Sequence, residues 1–292
     1  MTKLTFDLEL ITPCFCAGAT PAAAEIRAPS IRGKLRWWFR VLGGQRDQEA
    51  EVFGATAGDC GTSSALIIRV ADTVIQHKWQ PLTFSGFSNT GYVLYFAQAS
   101  GKGARWVAGG AIPPGASFQL QLLWKRSVSP GAQELFDLTL EAFLLLGSLG
   151  LRSTRGLGCF ETKERPFGQE NFQKLLAQIQ KRSPAFRADV AKFQGHQDDL
   201  IEGLGAQLRG LRNGFPAGRP SPLGSSQPDR QASAVYLRPV KSGPETYGIV
   251  VFEAPADKVL GITSRKGAPR LDLGIPSPQN PPQRHGGGNR RQ

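Results

Sequence analysis

Two short segments carry residue types whose spacing can do chemistry on an anion. The first is Ile31–Leu42, IRGKLRWWFRVL. At 100° per residue, Ile31, Leu35, Trp38 and Leu42 fall within about 60° of one another, with Phe39 at their flank, and this arc predicts the buried face of a helix. Arg32, Arg36 and Arg40 form a separate i, i+4, i+8 row with Trp37 beside it. Like charges so spaced repel by roughly 0.2–0.5 kcal/mol per pair, and a bound anion reverses that cost. Arginine's planar fork suits phosphate. Two readings fit: a solvated face whose arginine stems cover apolar surface, or a phosphate-contacting face on which Trp37 stacks against a base. The place of Trp37 off the core arc favours the second.

The second segment is Gly147–Phe160, GSLGLRSTRGLGCF, in which a predicted helix runs into glycines and two arginines before a strand. Gly150, Gly156 and Gly158 would let backbone N–H groups approach a phosphate closely, and Arg152 and Arg155 add charge. The segment is not a nucleotide-binding P-loop, because no Gly-Lys-Ser/Thr follows and the glycines close a helix instead of opening one. A helix stop with a tight turn fits the same residues equally well.

Other candidates are weaker. His77 and His196 sit in polar, unpatterned stretches and His285 near the C-terminus, so an acid–base role is not expected of them. Asp7 and Glu9 share one face of a strand without a third ligand at suitable spacing. Cys14-Phe15-Cys16 is too close for a zinc knuckle, and four cysteines do not make a disulfide scaffold. No metal and no cofactor are expected.

The charge agrees with a polyanionic partner. The 292 residues carry a formal +12, and residues 25–40, with Arg27, Arg32, Lys34, Arg36 and Arg40 against Glu25, hold +4 of it. The rest of the first half is neutral, so its basicity is one patch. The longest apolar runs, such as Ala142–Leu146, fall far short of the ~20 residues that span a bilayer, and no secretory signal opens the chain. A cytoplasmic protein without a membrane partner is expected.

The elements that must position these residues follow from periodicity. Residues 3–11 alternate as a half-buried strand. Pro29-Ser30 opens the helix at Ile31–Leu42, and Gly43-Gly44 closes it. Ala65–Val70, Gly91–Ala97 and Ser117–Trp124 read as strands, Ala132–Leu149 as the strongest helix, and Gly156–Thr162 as the strand after it. That order predicts a ferredoxin-like α+β unit over 1–165, with helices on one face of an antiparallel sheet. In 166–273, helices are predicted at Glu170–Lys181, Ala185–Phe193 and Leu200–Leu211, a flexible Pro/Gly/Ser loop at 213–231, and strands at Ala234–Val240 and Tyr247–Glu253. These form a second, abbreviated unit, and 274–292 reads as a flexible tail.

Together, the two anion-binding candidates resemble the RAMP superfamily of CRISPR proteins, whose signature is a ferredoxin-like fold with a glycine-rich loop after its last helix. Ile31-Arg32-Gly33-Lys34-Leu35-Arg36-Trp37-Trp38-Phe39-Arg40, followed by Glu51-Val52-Phe53-Gly54, is similar to the family of first subunits of the type III-B (Cmr) effector. Arg230-Gln231-Ala232-Ser233 before a strand resembles that family's C-terminal half. The resemblance implies tandem ferredoxin-like (RRM-like) domains and a non-catalytic RNA-binding subunit near the 3′ end of the guide RNA. Such a subunit helps capture target RNA and contacts neighbouring RAMP subunits. It implies RNA contact at Arg27, Arg32, Lys34, Arg36, Trp37, Arg40, Gly150, Arg152, Arg155, Gly156, Gly158 and Arg230. A guide-processing endoribonuclease and a structural adaptor without RNA contact are the alternatives.

Overall fold

A computed structural model of the chain describes residues 3–255 apart from 17, 19–22, 57–60, 81–82, 84–87, 98–108, 192, 216–220 and 225–231. The first half runs β1 (Lys3–Leu10), α1 (Ala28–Val41), α2 (Arg46–Phe53), β2 (Leu66–Val74), α3 (Asn89–Leu94), a 3₁₀ turn (Tyr95–Ala97), β3 (Ser117–Trp124), α4 (Pro130–Leu146) and β4 (Phe160–Thr162). The strands form one antiparallel sheet in the order β2-β3-β1-β4, with Phe6 opposite Leu120 and Leu8 opposite Phe118. Thus β1 lies between the two strands that flank α4, and β3 between the two that flank α1. Alternation in β1 and β3 sends Phe6, Leu8, Leu10, Phe118, Leu120 and Leu122 inward.

The second half supplies α5 (Gln169–Arg182), β5 (Arg187–Val190), α6 (Leu200–Asn213), β6 (Val235–Lys241) and β7 (Tyr247–Glu253). Its antiparallel sheet has the order β5-β7-β6. A strand, a helix and a hairpin whose last strand returns to the middle repeat the β1-α1-β2-β3 part of the first sheet.

Helix α1 lies between the two halves. Its core arc is as predicted: Ile31, Leu35, Trp38, Phe39 and Leu42 are all buried. Trp38 packs 5.5 Å from Phe252 of β7 and 6.0 Å from Phe186, so the second sheet covers what the first does not. Helix α4 is buried nearly all round, including Leu135, Phe136, Thr139 and Phe143, because it packs against α1, α2, α5 and β4 at once.

Four expectations are corrected. Gly91–Ala97 is helical: the Ser88 hydroxyl accepts from the Gly91 N–H as an N-cap, and burial of Val93, Leu94 and Ala97 with Leu200, Leu204 and Leu208 of α6 outweighs the β-propensity of the run. Ala185–Phe193 is not a helix but holds β5, whose Ala188 is buried two residues after the buried Phe186 that precedes the strand and whose Arg187 pairs with Glu253. Between 213 and 231, Ser221–Gly224 are buried, with Leu223 fully covered and the Pro222 carbonyl accepting from Ala234 N–H. Asn213 is the last residue of α6, while 216–220, 225–231 with Arg230, and the predicted tail lie outside the described residues. The strand predicted from Gly156 begins only at Phe160, because Gly156 and Gly158 have φ of +81° and +66°. Helix α2 was not foreseen.

Truncation of Trp38, fully enclosed between the two sheets, should cost roughly 3–5 kcal/mol. Urea unfolding of Trp38→Ala measures it, and a loss under 1 kcal/mol would contradict the placement of α1.

Candidate nucleic-acid interface

The glycine-rich turn between α4 and β4 is built against this chain's own backbone. Gly150, Arg152, Gly156 and Gly158 have positive φ. A Cβ on Gly150 would lie 2.6 Å from the Phe15 carbonyl oxygen, one on Gly156 2.5 Å from the Leu204 side chain, and one on Gly158 would overlap the Leu149 carbonyl. The N–H groups of Gly158 and Leu151 donate to Pro13 and Phe15 at 3.0 and 2.9 Å. The Thr12 hydroxyl donates to Gly156 O and accepts from Cys159 N. The glycines therefore answer to close approach within the protein. This packing by itself calls for glycine at Gly150, Gly156 and Gly158, whether or not a ligand lies against them.

The side chains at the crest of the turn are different. The Arg152 guanidinium lies 4.7 Å from the Tyr95 ring and 5.2 Å from that of Phe96, and donates to the Tyr95 hydroxyl. Tyr95 and Leu151 beside it are 51% and 54% exposed. Arg155 donates one Nη to the Leu223 carbonyl at 3.0 Å. Arg209 of α6 covers the Tyr92 ring at 5.2 Å. From α1, the Lys34 ammonium donates to Ser153 Oγ at 2.9 Å, and burial draws its pKa below the ordinary lysine range. Lys34 thus props the turn from beneath. The two segments singled out by spacing meet at this one bond. Tyr92 of α3, Tyr95 and Phe96 of the 3₁₀ turn and Arg209 of α6 join the site. No local pattern announced them, since 57 residues separate Arg152 from Tyr95.

The arginine row of α1 is used differently from its reading as a free face. Arg32 donates to the carbonyls of Phe53 and Leu66 at 2.9 and 3.4 Å, tying α1 to the end of α2 and the start of β2. Arg36 and Arg40 both close on Glu49 of α2 at 2.6 Å, and the Glu49 side chain is only 9% exposed. Trp37 is half-buried, 5.0 Å from Tyr236 of β6, and is no free stacking platform. Arg27 is exposed at the N-cap of α1.

His77 and His196 are exposed. His77 lines a cleft of about 470 Å³ with Trp79, Pro113, Asp198 and Leu200. Asp7 accepts from the Gln119 amide at 3.2 Å. Cys14 and Cys16 are buried with their sulfurs 3.4 Å apart. Among the described residues, no group of three or more His, Cys, Asp or Glu could hold a metal ion, and no helix is long and apolar enough to cross a membrane.

Glu49 gives a pH-dependent test. Burial raises its carboxyl pKa, but hydrogen bonds from Arg40 and Arg36 and their charges outweigh burial, so the pKa lies below its ordinary value. The stabilisation is complete above the unfolded-state value of about 4.3 and is lost as pH falls through the lowered one. Glu49→Gln should lose about 1–2 kcal/mol at pH 7, a figure reduced for the exposure of both arginines. The deficit should shrink towards pH 3 in urea melts; a pH-independent deficit would contradict the clamp.

The fold has counterparts among known proteins. A crystal structure of Cmr1 from Pyrococcus furiosus, apo form, superposes with a TM-score of 0.59 over 91% of this chain and 92% of that one, at 23% identity. A chain of a type III-B Cmr-beta complex bound to cognate target RNA, seen by electron cryo-microscopy, gives 0.53 over 86% and 94%, at 9% identity. At such identities the likeness is one of fold. In sequence, the CRISPR system Cmr subunit Cmr1-1 of Pyrococcus furiosus is 32% identical over 163 residues, which make up 52% of this chain and 45% of that subunit. The chain thus spans about half the length, or less, of the curated relatives it matches. The RAMP superfamily model matches residues 7–161, from β1 through the glycine-rich turn into β4. More than half of the chain, with both segments that carry the chemistry, is therefore covered, and the protein belongs to the RAMP superfamily.

Proposed function

We propose that this protein is a non-catalytic RNA-binding subunit of a type III-B CRISPR ribonucleoprotein effector. In this reading it sits at the 3′ end of the guide RNA, helps capture target RNA in antiviral defence, and abuts other RAMP subunits. The observation that carries the reading is the crest of the turn, where Arg152 stands between half-exposed Tyr95 and Leu151 without a carboxylate partner among the described residues. A guanidinium beside open aromatic and apolar surface suits a strand of phosphates and bases. The sequence relative is a Cmr subunit, and one fold neighbour belongs to a complex bound to target RNA. Both support carrying that role over to this chain. The two sheets are then tandem ferredoxin-like units, the second lacking the counterpart of α4 and β4 among the described residues. Arg27 and Arg155 extend the RNA surface, Lys34 positions it, and Arg36 and Arg40 contribute only the charge left over by Glu49.

Arg152→Ala should weaken binding of a labelled guide-repeat or target oligoribonucleotide by about 1–2 kcal/mol and lower the salt slope by about one unit, with the fold unchanged. Arg32→Ala should instead lower stability. Incubation of the RNA with the protein in EDTA should yield no discrete product, and His77→Ala and His196→Ala should leave RNA binding unaltered. Cleavage that His77→Ala abolishes would make the protein a nuclease. Unchanged affinity and slope in folded Arg152→Ala would leave an adaptor.

A further inference from the structure

A cleft of about 470 Å³ opens where the end of β1, the chain after β2, the loop before β3 and the start of α6 converge. Trp79, Pro113 and Leu200 are buried in its walls, and Pro114 and Ile201 line it half-buried. Lys78, Gln80 and Asp198 line it from exposed positions. The Gln197 amide donates to the Ile11 carbonyl and so fixes the start of α6 against the end of β1. Apolar walls with a few polar groups, within about 300–1,000 Å³, are the usual make-up of a small-ligand site.

Cleft and crest share one stretch of chain. Thr12 and Pro13 line the cleft, while the Pro13 carbonyl accepts from the Gly158 N–H and the Phe15 carbonyl from the Leu151 N–H. Two residues of chain span at most about 7 Å. A row of rings makes the same link. Trp79, in the cleft wall, packs on Phe15 at 5.1 Å, and Phe15 packs on Phe96 at 4.9 Å. The Arg152 guanidinium lies on Phe96 and Tyr95. A strand with a phosphate at Arg152 therefore passes within reach of the cleft.

The part of such a strand that suits the cleft is a base, with apolar faces for the walls and a polar edge for the rim. Single-stranded RNA is commonly read this way, through splayed bases held by their edges. Asp198 decides which base. Its carboxylate has no ion-pair or hydrogen-bond partner among the described residues, and an ionised carboxylate only accepts. Guanine alone presents two adjacent donors, N1–H and N2–H, to the two oxygens of one carboxylate. The single N3–H of uracil is flanked by carbonyls that a carboxylate repels. Lys78 supplies a cation for the backbone beside the base. His77 takes no part in this contact.

We propose that the cleft holds one unstacked base, guanine in preference, of the strand that crosses the crest, with Asp198 accepting from its N1–H and N2–H groups. The proposal deepens the RNA reading of the turn and rests on it.

The test uses the full chain and two oligoribonucleotides of equal length, one all uridine and one with a single central guanosine. Fluorescence anisotropy should show the parent binding the guanosine oligomer about tenfold more tightly, the effect of one bidentate charge-assisted contact. Asp198→Asn should melt with the parent, because Asp198 is exposed, and should bring the two affinities together by weakening the guanosine oligomer. With 6-thioguanosine at the central position, photo-crosslinks located by mass spectrometry should fall in 78–80 or 198–201. Equal affinity of the parent for the two oligomers, a guanosine preference retained in Asp198→Asn, or crosslinks confined to other segments would overturn the base site. The RNA reading stands in each of those cases if Arg152→Ala weakens binding of both oligomers. A parent that binds neither oligomer would overturn the RNA reading, and the base site with it.

Discussion

The Arg238 side chain is 2% exposed, inside the seam between β6 and β4. It donates to the carbonyls of Phe160 and Pro239 and covers the Phe160 ring at 5.3 Å. A guanidinium taken out of water is tolerated only where such partners surround it, and these partners belong to both sheets. The seam continues on either side, through the Leu237 N–H on the Thr154 carbonyl and the Lys241–Glu161 ion pair at 3.0 Å. Thr154 and Phe160 lie within and just after the glycine-rich turn, so docking the second sheet and shaping the turn are one event. That is why the turn demands glycine at three points: it is squeezed between Pro13, Phe15 and Leu149 on one side and Leu204 on the other. At its crest Leu151 stays exposed and Arg152 lies against the Tyr95 ring, while Ser153 accepts from Lys34 and Arg155 is tied to the Leu223 carbonyl.

Helix α1 shows how one pattern in a sequence can serve two ends. The arc from Ile31 to Leu42 was legible because burial has a period, and a helix between two sheets must satisfy it. The arginines were legible as off the core, yet their partners were not. Glu49 belongs to α2, whose eight residues carry no clear amphipathic signal, and the carbonyls that hold Arg32 belong to residues 21 and 34 positions away. An ion pair made by tertiary contact leaves no periodicity behind. Trp37 misleads for the same reason: it leaves the first core only to enter contact with Tyr236 of the second sheet.

Strands β1, β3, β6 and β7 were readable from alternation or from short β-rich runs. The two misread segments are those in which local preference and tertiary packing disagree. Tyr92–Ala97 has the composition of a strand, but α6 offers it a groove that only a helical face fills. Phe186, Ala188 and Val190 alternate over a stretch too short to outweigh a helical neighbourhood, and pairing with β7 decides it. In the site, Arg152 and Arg155 were visible because they stand next to glycines. The aromatic residues and Arg209 of α6 were invisible because the fold alone brings them there.

The charge of the molecule is therefore distributed by partnership more than by count. Residues 25–40 hold the densest run of bases, but Arg36 and Arg40 share one carboxylate, Arg32 holds backbone carbonyls and Lys34 is half-buried beneath the turn. Little of that formal +4 reaches solvent as an open field. At the turn, Arg152 lies against Tyr95 and Phe96 and Arg155 donates to the Leu223 carbonyl, and no carboxylate of the described residues forms an ion pair with either. Exposed charges farther apart than roughly 8–10 Å are screened from one another at physiological salt, so a polyanion responds to local unpaired charge and not to the net +12. The densest run of bases marks a structural helix, and the unpaired charge of the described residues gathers instead in a smaller group at the turn.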